Sequence, residues 1–198
     1  GEVVNRPSSV VKELLENSID SGANEILLIV KDAGRTLIQV KDNGCGMSRE
    51  DAKKCFLPHA TSKIKSSEDL LNLTTMGFRG EALSSIASIS QIELQTRREE
   101  DELGIKVIIE GGVVKEVCDV SCPKGTNIFV KNIFFNTPAR RNFLKSDSVE
   151  FSHINEEFIR VALVNTEVSF ILYHNEQMQY RLEQGNQKRR IIDIFGSN

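Results

Sequence analysis

The sequence predicts an α+β fold: a mixed, mostly antiparallel sheet with helices on one face. Three observations carry this expectation. Segments with helical apolar spacing are interleaved with short strand-like runs. The strands are joined mainly by hairpins, as at Gly111-Gly112. The regular strand–helix–strand alternation of a Rossmann sheet is missing.

The elements follow in order. Pro7-Ser8-Ser9 suit the first turn of a helix. Val11, Leu14, Leu15 and Ile19 continue at helical spacing, and Gly22 can end the helix. Ile26 to Val30 and Leu37 to Val40 read as strands joined by a turn at Ala33-Gly34. Asp42-Asn43-Gly44-Cys45-Gly46 is a tight turn. Ser48 with Asp51 resembles a capping box that opens a short helix to about Cys55. Residues 56–80 read as irregular apart from a short helix near Glu68 to Leu73, and so long a stretch suggests a functional lid. Glu81 to Ile89 reads as a helix. Strands follow at 91–97, 105–110, 113–118 and 126–131. Thr137 as cap and Pro138 in the first turn start another helix, and 149–164 is amphipathic. Strands at 168–173 and 178–182 lead to a linker at Gln184-Gly185-Asn186 and a last helix from Gln187. Two units are expected: 1–183, and a linker with the first helix of a second subdomain over 184–198.

Composition bounds the function. With 198 residues, 39% hydrophobic and 27% charged, the sequence is that of an ordinary globular protein. Such a chain buries roughly 70% of its unfolded surface and needs no disulfide or structural metal. The net charge of −3 disfavours a dedicated nucleic-acid module, so any DNA contact must come from a local patch. Arg97-Arg98, Arg140-Arg141 and Lys188-Arg189-Arg190 are the tight basic runs, and such runs are more often solvated helix ends. There is no Trp and there are 2 Tyr, against an aromatic base-stacking platform. Cys45, Cys55, Cys118 and Cys122 lack zinc spacing and read as free thiols of a reducing cytoplasm. The apolar run Ile26 to Val30 is far short of a membrane helix, and no signal peptide is visible. An initiator Met is also missing, so the natural start is expected upstream.

Four elements carry chemistry. Glu13, Glu16, Asn17 and Asp20 fall at i, i+3, i+4 and i+7 and form one polar stripe, which by itself is a solvated face. Asp42 ends an apolar strand, and Gly44 and Gly46 after it allow close backbone approach; the plain alternative is an ordinary turn. Gly77-Phe78-Arg79-Gly80-Glu81-Ala82-Leu83 places two glycines before a helix start, an anion site or a flexible turn. A Walker-type loop is absent. Gly125-Thr126 opens a strand.

Taken in this order, the four resemble the GHKL ATPase superfamily of gyrase-type topoisomerases, heat-shock chaperones, histidine kinases and MutL mismatch-repair proteins. The finer similarity is to the MutL family in its bacterial form. It is carried by Gly1-Glu2-Val3-Val4, Arg6-Pro7, Lys12-Glu13-Leu14, His59-Ala60-Thr61-Ser62-Lys63 and Phe135-Asn136-Thr137-Pro138-Ala139-Arg140-Arg141. It implies a Bergerat-type two-layer fold that binds ATP with Mg²⁺ and hydrolyses it. Glu13 would be the general base. Asn17 would give one amide oxygen to Mg²⁺, whose other ligands are phosphate oxygens and water. Asp42 would take the adenine amine, with Asp20 and Thr126 supporting the base pocket beside Gly44 and Gly46. Gly77, Phe78, Arg79, Gly80, Glu81, Ala82 and Leu83 would cradle the phosphates; Thr61 and Lys63 would serve the lid or a phosphate. Ser21 stands where Ala is common in the family, with little effect expected.

The resemblance also implies an apolar arm before Gly1 and, after Asn198, a second subdomain whose Lys reaches the terminal phosphate. ATP binding would order the lid and dimerise the domain. A MutS-type mismatch-recognition protein, a nicking enzyme or helicase, and DNA in a groove completed by the homodimer are the expected partners. Two alternatives remain: a histidine-kinase catalytic domain, and a nucleotide-gated adaptor without hydrolysis. His59, His153 and His174 lie downstream of the first motif, against the kinase. Glu13 weighs against the adaptor, because a pure binder needs no base.

Overall fold

The computed structural model describes residues 4–58 and 82–196. Its order is α1 (Pro7–Asp20), β1 (Glu25–Lys31), a 3-10 turn (Asp32–Gly34), β2 (Leu37–Asp42), α2 (Arg49–Lys54), α3 (Ala82–Ser88), β3 (Gln91–Arg97), β4 (Gly104–Glu110), β5 (Val113–Val120), β6 (Gly125–Lys131), α4 (Pro138–Phe143), α5 (Asp147–Val164), β7 (Ser169–His174), β8 (Gln177–Leu182) and α6 (Gln187–Phe195). The short helix expected near Glu68 to Leu73 lies outside the described residues.

One sheet of eight strands runs β5-β4-β3-β6-β2-β1-β7-β8. Every pairing is antiparallel except β1 with β7, which is parallel. The α+β expectation therefore holds. Alternation explains the layers. Ile26, Leu28 and Val30 of β1 are buried, as are Ile38 and Val40 of β2, Ile92 and Leu94 of β3, and Ile128 and Val130 of β6. This inward face meets Val10, Val11, Leu14 and Leu15 of α1 and Ile154 and Phe158 of α5 in one core. The α1 helix lies along α5.

Helix signals held in part. Pro7 sits in the first turn of α1, and Gly22 takes the left-handed conformation just past its end. Ser48 accepts from the Asp51 N–H. Pro138 begins α4, but the Thr137 side chain makes no cap bond there, and its Oγ1 is buried without a hydrogen bond. The α5 helix starts at Asp147 rather than 149, because Ser146 accepts from the Val149 N–H.

The basic runs are largely used inside the protein. Arg97 donates to the carbonyls of Cys122, Arg98 and Asp101, and Arg98 pairs with Asp101. Arg140 donates to the Val4 carbonyl. Arg190 corrects the solvated reading most: it is buried and donates to five backbone carbonyls, those of Ala162, Asn165, Thr166, Val168 and Glu183. All four cysteines are free thiols.

Candidate functional site: an aspartate-ended cleft at the end of the sheet

Asp42 continues the inward phase of Ile38 and Val40, so its carboxylate turns into the helix layer. In register it faces Thr126 on β6, and Thr126 faces Thr96 on β3. Three polar side chains thus form a row across the end of a sheet whose inward face is otherwise apolar. Asp42 is only 9% exposed. Its Oδ2 accepts from Ser18 Oγ at 2.7 Å, and its Oδ1 from the N–H groups of Gly44 at 2.9 Å and Thr126 at 3.3 Å. Burial pushes its carboxyl above the usual carboxylate range, and these three donors with Lys124 offset part of that rise.

The glycines let the backbone fold back on the protein itself. A Cβ at Gly44 would fall 1.9 Å from Ser21 Oγ, and one at Gly46 2.0 Å from the Arg97 carbonyl oxygen. A Cβ at Gly125 would fall 2.1 Å from the Asp42 carbonyl oxygen. Close approach was expected toward a ligand; for the turn, the close neighbours are α1 and the end of β3. Ser21 is part of that contact, and the Cys45 N–H of the same turn donates to its carbonyl.

A cavity opens between α1 and this row, lined by Asn17, Ser18, Ser21, Asp42, Gly46 and Thr126 on its polar side. Leu14, Met47, Cys55, Phe56, Leu83, Leu94 and Ile128 form its apolar walls. Apolar walls with one buried carboxylate at the end suit an apolar heterocycle bearing an amine. Burial raises the Cys55 thiol far above its ordinary value, so it serves as an inert wall. Asn17 brings a buried Oδ1 that makes no hydrogen bond. A lone amide oxygen of this kind fits one ligand position of a Mg²⁺ that draws its others from phosphate and water. Among the described residues no group of three or more His, Cys, Asp or Glu could hold a metal alone.

Glu13 lies one helical turn before Asn17, with its Oε1 shielded from solvent. Asp20 lines a different groove, together with Lys12 and Glu16 on the α5 side of α1. It is not among the residues lining the Asp42 cavity. Ala82 and Leu83 open α3, and Leu83 reaches the cavity. Thr61, Lys63, Gly77, Phe78, Arg79, Gly80 and Glu81 lie outside the described residues. Sequence reasoning missed Ser18 and Thr96, the hydroxyls that hold Asp42 and Thr126. Their signal is phase: a small polar residue where the inward face calls for an apolar one.

Known proteins match this arrangement. The family described as histidine kinase-, DNA gyrase B-, and HSP90-like ATPase matches residues 5–120. The chain is 57% identical over 195 residues to the DNA mismatch repair protein MutL of Flavobacterium psychrophilum, covering 98% of this chain and 32% of that protein. It is also 57% identical over 196 residues to MutL of Porphyromonas gingivalis, covering 99% and 32%. The chain therefore spans about a third of the length of these relatives. The Aquifex aeolicus MutL ATPase domain complexed with ADP superposes with a TM-score of 0.82 at 32% identity, covering 99% of this chain and 71% of that one. A second structure of the ATPase domain from the Aquifex aeolicus mismatch repair endonuclease MutL gives 0.77 at 29%, covering 98% and 66%. With the fold, the aspartate-ended cleft and these matches in agreement, the chain belongs to the MutL family of histidine kinase-, gyrase B- and HSP90-like ATPases.

Proposed function

We propose that this domain binds ATP with Mg²⁺ and hydrolyses it, serving as an ATP-operated switch in DNA mismatch repair. The observation that carries the reading is the buried Asp42 carboxylate, clamped by Ser18, Gly44 and Thr126 at the end of a cavity that Asn17 also enters. A carboxylate there accepts from the adenine amine and repels the guanine carbonyl. Asn17 would hold Mg²⁺, which would draw charge from the phosphates when bound. Glu13, one turn earlier on α1, would orient the attacking water and take its proton. Phosphoryl transfer asks mainly for positioning and charge neutralisation, and both groups sit on one rigid helix. Gly77 to Leu83, with Thr61 and Lys63, would complete the phosphate side, while Gly44 and Gly46 shape the base side. Asp20 would support that pocket from the groove it lines between α1 and α5.

In the full protein, ATP binding would drive homodimerisation. The dimer would signal to a MutS-type protein, engage DNA in its groove, and license a nicking enzyme or helicase. Residues 184–198 would begin a second subdomain, tied to 1–183 by Arg190. Among the described residues no helix is long and apolar enough to cross a membrane; a role in DNA repair would place the protein in the cytoplasm.

Calorimetry with ATP and GTP in Mg²⁺, followed by a single-turnover phosphate assay, tests the reading. Binding of ATP well above GTP, with slow phosphate release, is expected. Equal affinity for the two purines overturns it; tight binding without any release leaves only the non-hydrolysing adaptor.

A further inference from the structure

The face of the sheet turned away from the core carries a row of side chains that the nucleotide cleft does not use. Leu27 on β1 stands across from Lys41 on β2 and, on its other side, from Ile171 on β7; Ile171 stands across from Arg181 on β8. Their sequence neighbours Ile26, Asp42, Phe170 and Leu182 are buried on the inward face, so these four point outward. The row runs through a groove of 470 Å³. Leu27 and Ile171 are half-buried and make its floor, while Lys41 and Arg181 are exposed at its two ends. Lys124 joins the Lys41 end, where its Nζ donates to the Asn43 carbonyl at 3.3 Å. Lys41 makes no ion pair among the described residues. Arg181 pairs with Glu183 at 3.1 Å, and a pair this exposed contributes little. On a chain of net charge −3, the groove thus presents cations at both ends of an aliphatic floor.

The spacing defines what fits. From β2 to β8 is three strand spacings of about 4.8 Å, or ~14 Å. An extended peptide advances about 3.3 Å per residue and turns every second side chain the same way, so residues i, i+2 and i+4 span ~13 Å on one face. We propose that this groove docks an extended acidic segment of a partner protein, laid across the strands. Two carboxylate side chains four residues apart would meet Lys41 and Arg181, and an apolar side chain midway would sit on Leu27 and Ile171. Charge complementarity at the ends gives register, and the floor gives apolar burial. Glu25 and Glu183 on the rim favour this occupant over a nucleic acid, because they repel a continuous phosphate backbone more than two spaced carboxylates. Asp42 faces the nucleotide cavity and its neighbour Lys41 faces this groove, so the two surfaces lie on opposite sides of the same strand end.

The test is fluorescence anisotropy of the full-length protein with a labelled Gly-Glu-Ser-Leu-Ser-Glu-Gly peptide. Saturable binding that weakens as salt is added is expected. Replacing the peptide's Leu by Ser should cost about tenfold in affinity, and replacing both Glu by Gln about tenfold or more. Moving the second Glu one residue closer should weaken binding as well, because its side chain then turns to the other face. Lys41→Glu combined with Arg181→Glu should lose the acidic peptide and gain Gly-Lys-Ser-Leu-Ser-Lys-Gly, a swap that a misfolded protein cannot produce. Absence of saturation by about 1 mM peptide overturns the proposal. So does equal binding of the acidic peptide by the charge-reversed protein, or its loss without gain of the basic one. A single-stranded oligodeoxynucleotide that binds through Lys41 and Arg181 where the peptide does not would assign the groove to nucleic acid and overturn it too.

Discussion

Ser18 Oγ donates to Asp42 Oδ2 at 2.7 Å and so joins α1 to the end of β2 across 24 residues of sequence. This bond orients the carboxylate and partly offsets the burial that raises its pKa. The sign for stability follows. A carboxyl whose folded pKa lies above its unfolded value costs stability at neutral pH, and the cost fades as pH falls below the folded pKa. Ionising Asp42 in the folded protein therefore costs stability.

Asp42→Asn should lose adenine binding without lowering the melting temperature of the ligand-free domain. The amide keeps one acceptor oxygen for its donors but turns an NH₂ toward the adenine amine. Losing a hydrogen bond to a charged group costs roughly 1.5–3 kcal/mol, about ten- to a hundredfold in affinity. Calorimetry beside a thermal melt checks both halves. Wild-type affinity in the variant would remove Asp42 from base recognition.

Glu13→Ala should bind ATP nearly as well as wild type and hydrolyse it ~10²–10⁴-fold more slowly, the usual loss for a general base. Glu13 is one turn from Asn17, the position from which it would reach water beside a metal-bound phosphate. Single-turnover rates in the full-length protein decide the matter. Unchanged turnover would assign proton abstraction elsewhere.

Much of this was legible in the sequence. The strands announced themselves by alternating or continuous aliphatics, and Asp42 stood out as an acid ending such a run before two glycines. The hydroxyls did not. Ser18 sits mid-helix among buried residues and passes for a small packing residue. Thr96 is a good strand former at a strand end, and only the register through Thr126 gives it a role. Arg190 read as part of a solvated basic run, because nothing local announces the open carbonyls that end α5. The start of α5 was set two residues late because Ser146 was not recognised as its cap.

Gly46→Ala should disable the site by moving backbone. At φ 70 the residue is in the left-handed region, and the added Cβ would meet the Arg97 carbonyl at 2.0 Å. Left-handed strain alone costs about 1–3 kcal/mol, and the clash forces the turn away from β3. A lower melting point with at least tenfold weaker ATP binding is expected. A variant that melts and binds like wild type would show that the turn can shift freely.

Arg190→Met should destabilise the fold without touching the cleft. The guanidinium ties α6 to the end of α5 and the start of β7 through five carbonyls, and it lies 5.4 Å over the Phe170 ring. Methionine fills part of the volume but leaves those acceptors bare, and each buried carbonyl left without a donor costs roughly 1–3 kcal/mol. Arg190→Lys should fare little better, because an ammonium cannot fork to divergent carbonyls. Urea unfolding measures the loss. A midpoint shift worth under about 1 kcal/mol would show that water replaces the guanidinium readily.

His174 gives the fold a pH dependence. Its Nε2 accepts from the Ala33 N–H at 3.2 Å, and its ring stacks on Phe151 at 4.0 Å between centroids. Ala33 is held at φ 54, a conformation rare for a residue with a side chain, so this bond props a strained turn. Burial lowers the His174 pKa, outweighing the pull of Asp147 and Asp32 in the other direction. A neutral imidazole is required, because protonated Nε2 would face the Ala33 donor with a donor of its own. Stability from this contact is thus fully present above the unfolded pKa of about 6.5 and is lost as pH falls from there through the lower folded value. His174→Gln keeps an acceptor without titrating. Its melting temperature should fall less than wild type between about pH 7 and pH 5. Parallel slopes for the two chains would assign the acid sensitivity to carboxylates alone.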